Sequence, residues 1–95
     1  MENREYKNMS ESDMMSKIAG CSSQHMPRLV DEWCSELNAN CIQRILDKTI
    51  AMDLIFVVRC LDKHALLRKE HMEIICKKAP KGYRAELQRI SERLH

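Results

Sequence analysis

Aromatic side chains are scarce in this 95-residue sequence: one Trp, one Phe and two Tyr serve the whole chain. Leu, Ile, Val, Met and Cys must therefore fill any core. Glycine and proline are equally sparse, two of each, too few for a fold built on many tight turns. The five cysteines, Cys21, Cys34, Cys41, Cys60 and Cys76, include no CxxC pair and are odd in number. That excludes a complete disulfide framework, gives no zinc-knuckle spacing, and suits reduced, mostly buried thiols. No apolar run approaches the roughly 18 residues of a membrane span, and residues 1–7 lack an apolar signal core. A cytoplasmic protein, with the nucleus as a second location and no membrane contact, is the expectation.

Helix-favouring Leu, Met, Glu, Lys, Arg and Gln are plentiful, which predicts an all-α domain. Its centre is the apolar block Leu54-Ile55-Phe56-Val57-Val58. Five consecutive apolar residues leave a helix no polar stripe, so this segment should be enclosed nearly all round. A strand is the other reading of such a block, but no second run exists to pair with it. Around this helix the spacing predicts a flexible tail over residues 1–9 and a single helical-bundle domain over residues 10–95. Ser10 should cap a short first helix closed by Gly20, and Pro27 should open a second that closes near Asn38. Asn40 should cap a third, whose buried face is Ile42, Ile45, Leu46 and Ile50. The central helix should end near Lys63, another should carry Met72, Ile74 and Ile75, and Pro80 should separate it from a last one with Tyr83, Leu87, Ile90 and Leu94. The result is a compact bundle of about six short helices, with no evident internal repeat.

Charge is divided unevenly along the chain. Residues 1–58 hold six Lys/Arg and nine Asp/Glu, a net of −3, whereas residues 59–95 hold ten and five, a net of +5. Such a two-ended molecule can attract copies of itself or a partner of opposite polarity. The basic half also raises nucleic acid as a partner, since Lys63, Arg68, Lys69, Lys77, Lys78, Lys81, Arg84, Arg89 and Arg93 fall on the last two helices and their joint, and phosphates need only such cations. Glu70, Glu73, Glu86 and Glu92 are interspersed and would repel a phosphate backbone. Catalysis has one candidate, Cys60 and His64 four residues apart with Asp62 or Glu73 to orient the imidazole, but neither a glycine-rich turn nor a phosphate cradle accompanies it. Cys60, His64, Cys76 and His71 match no common zinc spacing. The expectation is therefore a non-enzyme with no cofactor, no metal and no small-molecule substrate.

From Ile45 to Leu94 the chain resembles a caspase-recruitment domain, a branch of the death-fold superfamily. The likeness lies in an apolar helix ending Leu61-Asp62-Lys63-His64, then Leu66, then Glu70 and Glu73 around Met72, Ile74 and Ile75. A basic joint with Pro80 follows, and a helix spaced on Leu87, Ile90 and Leu94. The resemblance implies that these are the second to fourth helices of a six-helix Greek-key bundle, an adaptor that assembles with another death-fold domain or with itself. In that family a Ser or Thr caps the third helix; here Leu67 stands in that place. The family's contact sets basic against acidic helix positions. Carried onto this chain, the basic face is Lys81, Arg84 and Arg89, joined by Lys77 and Lys78 of the basic joint, and the acidic face is Asp53, Asp62, Glu70 and Glu73.

Overall fold

Ser10 opens the first helix as its side chain predicts. In the computed structural model, which describes residues 10–94, its Oγ accepts the Asp13 N–H at 3.2 Å at the head of α1 (Glu11–Ala19), with Glu11 and Asp13 at the positive end of the helix dipole. The tail expected over residues 1–9 lies outside the described residues. Gly20 ends α1 in the ordinary right-handed region, φ −89°, so its glycine freedom is not what closes the helix. A 3₁₀ turn at Ser23–His25 leads into α2 (Met26–Trp33), with Pro27 in the first turn where its missing N–H leaves no bond unmade.

α2 stops short of Asn38, because Asn38 is itself a cap. Its Oδ1 accepts the Cys41 N–H at 2.9 Å and starts α3 (Ala39–Lys48). Asn40, expected in that role, lies inside the first turn, and its amide reaches the Glu11 carboxylate at 3.3 Å. Thr49 and the extended Ile50 divide α3 from α4 (Ala51–Lys63), so the chain breaks there rather than continuing. The end of α4 is a Schellman reversal: Leu66 N–H bonds to Leu61 O at 2.8 Å and Ala65 N–H to Asp62 O at 3.0 Å, with Ala65 left-handed at φ 58°. α5 (Lys69–Lys78) begins after Arg68 rather than Leu67. No side-chain oxygen caps it; instead His71 Nδ1 accepts the Arg68 N–H at 3.2 Å. Pro80 and a 3₁₀ turn at Lys81–Tyr83 separate α5 from α6 (Arg84–Arg93). All the regular structure of the described residues is helical, in six α-helices.

The helices follow one another as three consecutive pairs, a repeat the sequence does not announce. The residues that start α1, α3 and α5 are Ser10, Asn38 and Arg68, 28 and then 30 positions apart. Twelve positions beyond each lies an extended residue that turns the chain into the second helix: Ser22, Ile50 and Pro80, with φ −74°, −75° and −61° and ψ 157°, 161° and 151°. α1 packs on α3 and α3 on α5, α2 packs on α4, and α6 closes against α5. Stacking in one direction gives a body 44 × 26 × 17 Å. The stretch that resembles a caspase-recruitment domain holds the end of α3 together with α4, α5 and α6, and so parts of the second unit and all of the third.

The core runs along the seam between the two helix layers. Met14, Ile18, Ile45 and Leu46 fill one side, Met26, Val30, Leu54, Val58 and Leu61 the other, all without solvent exposure. Three expectations fail here. Ile50, placed on the buried face of the third helix, lies between α3 and α4 and is 53% exposed. Of the five thiols only Cys41 is buried, and Cys76 is exposed. The third concerns the central helix. α4 is not enclosed all round: Phe56 is 50% exposed and Met52 77%, because α4 needs its buried face only toward α2 and the paired layer, while residues four apart share its outer face.

Candidate interaction surface

The seams between units use several of the charges predicted to face a partner. Lys78 is committed to the fold. Its Nζ donates to Leu46 O at 2.8 Å and Asp47 O at 2.7 Å, the last-turn carbonyls of α3 that have no helical donor. Lys48 occupies the same place one unit earlier, ten positions after its N-cap, and donates to Ile18 O, Ala19 O and Cys21 O at 3.3, 2.7 and 3.4 Å. Each ammonium sits at the negative end of the neighbouring helix dipole. Asp62 is likewise engaged, bonded to Arg93 at 2.9 Å across the α4–α6 seam. Beside it, Arg59 grips both oxygens of Glu86 at 2.9 Å each and holds that carboxyl below the usual range.

What remains of the predicted basic face is Lys77, Lys81 and Arg84, exposed at the end of α5 and the start of α6, and Arg89, exposed on the flank beside Asp62. Of the predicted acidic face, Glu70 and Glu73 are exposed on α5, and Asp53 is half-buried in the first turn of α4. None of these seven side chains forms an ion pair among the described residues. The sequence reading missed the outer face of α4, where Met52 and Phe56 are exposed and the Arg59 guanidinium lies 5.9 Å from the Phe56 ring and 6.0 Å from that of Tyr83. Met52 and Phe56 at i and i+4 carried the signal, with Phe56 hidden inside a run read as enclosed nearly all round.

The thiol–imidazole pair does not make a nucleophile. His64 is turned to Asp31 on α2, 2.8 Å from its carboxylate, with Lys63 at 3.2 Å on the same oxygen. His64 first, then Lys63, holds the Asp31 carboxyl below its usual range. Cys60 is pushed up, by burial first and then by the Asp31 charge, the opposite of an activated thiolate. No three His, Cys, Asp or Glu side chains gather around a metal-sized point among the described residues. His71, almost fully buried, is lowered chiefly by burial and serves as a cap acceptor.

Two grooves flank α6. One, between α4 and α6, is lined by Arg59, Asp62, Lys63, Glu86, Arg89, Ile90 and Arg93, where the two carboxylates are already bonded. The other, of about 330 Å³, is lined by Cys76, Ala79, Pro80, Lys81, Arg84, Leu87, Gln88 and Ser91 at the far end of the stack. Among the described residues it carries two cations and no carboxylate. No family model, curated protein or solved structure matches the chain. No helix among the described residues is long and apolar enough to cross a membrane.

Proposed function

We propose that the chain is a protein-interaction module, an adaptor or scaffold in signalling that assembles with itself or with another helical domain through charged helix faces. One observation carries this reading. Once the seam contacts are set aside, the exposed charges left over around the α5–α6 joint, Lys77, Lys81 and Arg84, are of one sign, while Glu70 and Glu73 stand earlier on α5 with Arg68 and Lys69 beside them. Cations that form no internal ion pair and gather at one joint set register and encounter rate with a partner of opposite charge. Stacked helix pairs offer such faces in extended form. The resemblance to caspase-recruitment domains points the same way and makes another death-fold domain the natural partner.

The test is a charge reversal. Arg84→Glu and Glu70→Lys should each weaken self-association, or capture of a partner, and mixing the two variants should restore part of it. Wild-type association in both variants would refute these sites. A second reading, binding of nucleic acid, is favoured by one observation, the carboxylate-free groove at Lys81 and Arg84. It predicts binding to short RNA or DNA that weakens steeply as salt rises, and its absence at physiological salt removes it.

A further inference from the structure

The groove at the end of the stack has the shape of a seam whose second half is missing. Its residues lie thirty positions after buried residues of the second unit, by the same offset that relates Ile50 to Pro80. Cys76 answers to Leu46, Arg84 to Leu54, Leu87 to Val57, Gln88 to Val58 and Ser91 to Leu61; the second-unit members are all buried, whereas Cys76, Arg84 and Gln88 are exposed. The backbone acceptors repeat as well. The carbonyls eight and nine positions after the N-cap receive Lys48 in the first unit, at Ile18 and Ala19, and Lys78 in the second, at Leu46 and Asp47. In the third unit they belong to Cys76 and Lys77, and no side chain of the described residues donates to them. The charged replacements in the groove are of one sign: where Ala51 and Leu54 stand in the second unit, the third has Lys81 and Arg84.

We infer that this groove is a docking seat for an acidic amphipathic helix of a partner protein, which extends the stack by one layer. Resting on the interaction-module reading, this names the partner's chemistry. The partner helix sets an apolar pair four residues apart on Leu87 and Cys76, and places carboxylates against Lys81 and Arg84. A lysine in its last turn takes the α5 carbonyls as Lys48 and Lys78 take theirs. A second copy of this chain is a poorer occupant, since its first unit has Gly20 ten positions after the N-cap, where Lys48 and Lys78 stand in the later units, and the groove beside Gly20 is lined by Lys17, His25 and Arg28 with Glu32.

The experiment uses the full chain and three stapled helical peptides that share a Leu pair four residues apart and one Lys in the last turn. They differ only in whether Glu, Gln or Lys flanks the pair. Fluorescence anisotropy should show the Glu peptide binding about tenfold tighter than the Gln peptide, with none for the Lys peptide. The double variant Lys81→Glu, Arg84→Glu should lose about tenfold in affinity for the Glu peptide, with Lys69→Glu, at the other end of α5, unchanged. Amide NMR shifts should centre on Cys76, Leu87 and Ser91. Equal affinity for the three peptides, shifts centred elsewhere, self-association through this groove, or displacement of the peptide by short RNA would each overturn the inference. Arg84 belongs both to the groove and to the charge-reversal pair, so Glu70→Lys, which leaves the groove intact, separates the two readings: weakened association in that variant alongside peptide failure refutes the seat and keeps the module.

Discussion

Lys77 and Lys78 are neighbours with identical side chains, and the structure gives them opposite consequences. Replacing Lys78 by Met keeps the aliphatic stem that packs beside α3 and removes only the ammonium. Two short bonds to carbonyls, at 2.8 and 2.7 Å, are lost. A hydrogen bond to a charged group contributes about 1.5–3 kcal/mol, and a cation at a helix C-terminus about 0.3–1 kcal/mol. Asp47 is exposed, so water can replace part of the loss at its carbonyl, and the expected cost falls to about 1–2 kcal/mol. In a chain of this size that lowers Tm by roughly 5–10 °C. Thermal and guanidinium unfolding followed by far-UV circular dichroism measures it. Lys48→Met should cost a similar amount, the Lys48/Lys78 double variant should be near the sum because the two ammoniums serve different seams, and Lys77→Met should be silent. If Lys78→Met and Lys77→Met behave alike, the seam role of the lysines is wrong.

His71 gives stability a pH dependence of known sign. Burial sets its folded pKa below the ordinary 6.5, so the unfolded chain binds more protons; its contribution is complete above about 6.5 and is lost progressively as pH falls below that value. His71→Gln should flatten the slope of unfolding free energy between about pH 5 and pH 7, and unchanged slopes in the two proteins would contradict the assignment. At the α4 reversal, Ala65 holds φ 58°, where a Cβ is strained. Ala65→Gly should raise stability by about 0.5–1 kcal/mol in the same unfolding assay, and a loss would show that the left-handed turn is not the native one.

The sequence by itself determined that the chain is helical and where several helices begin and end. Ser10 is an N-cap by virtue of its own hydroxyl, Pro80 stops α5 because it lacks an N–H, and the apolar spacing of Ile42, Ile45 and Leu46 can bury only as one helix face. These are local properties, written in one residue or one turn. The threefold serial arrangement is not, because the units share backbone positions rather than residue types: Ser10, Asn38 and Arg68 do one job, and Ser22, Ile50 and Pro80 another. Among the described residues only the middle unit is packed on both sides, and its Leu46, Leu54, Val57, Val58 and Leu61 are apolar; the period fades from the sequence where the third unit turns Lys81, Arg84 and Gln88 outward. The candidate surface divides in the same way. The sign of the charges and their gathering near the α5–α6 joint are legible in the chain. Which of them are spent on the fold follows from the 100° rotation per residue that turns Lys78 onto α3 and Lys77 away from it, and from the packing that brings Arg93 to Asp62.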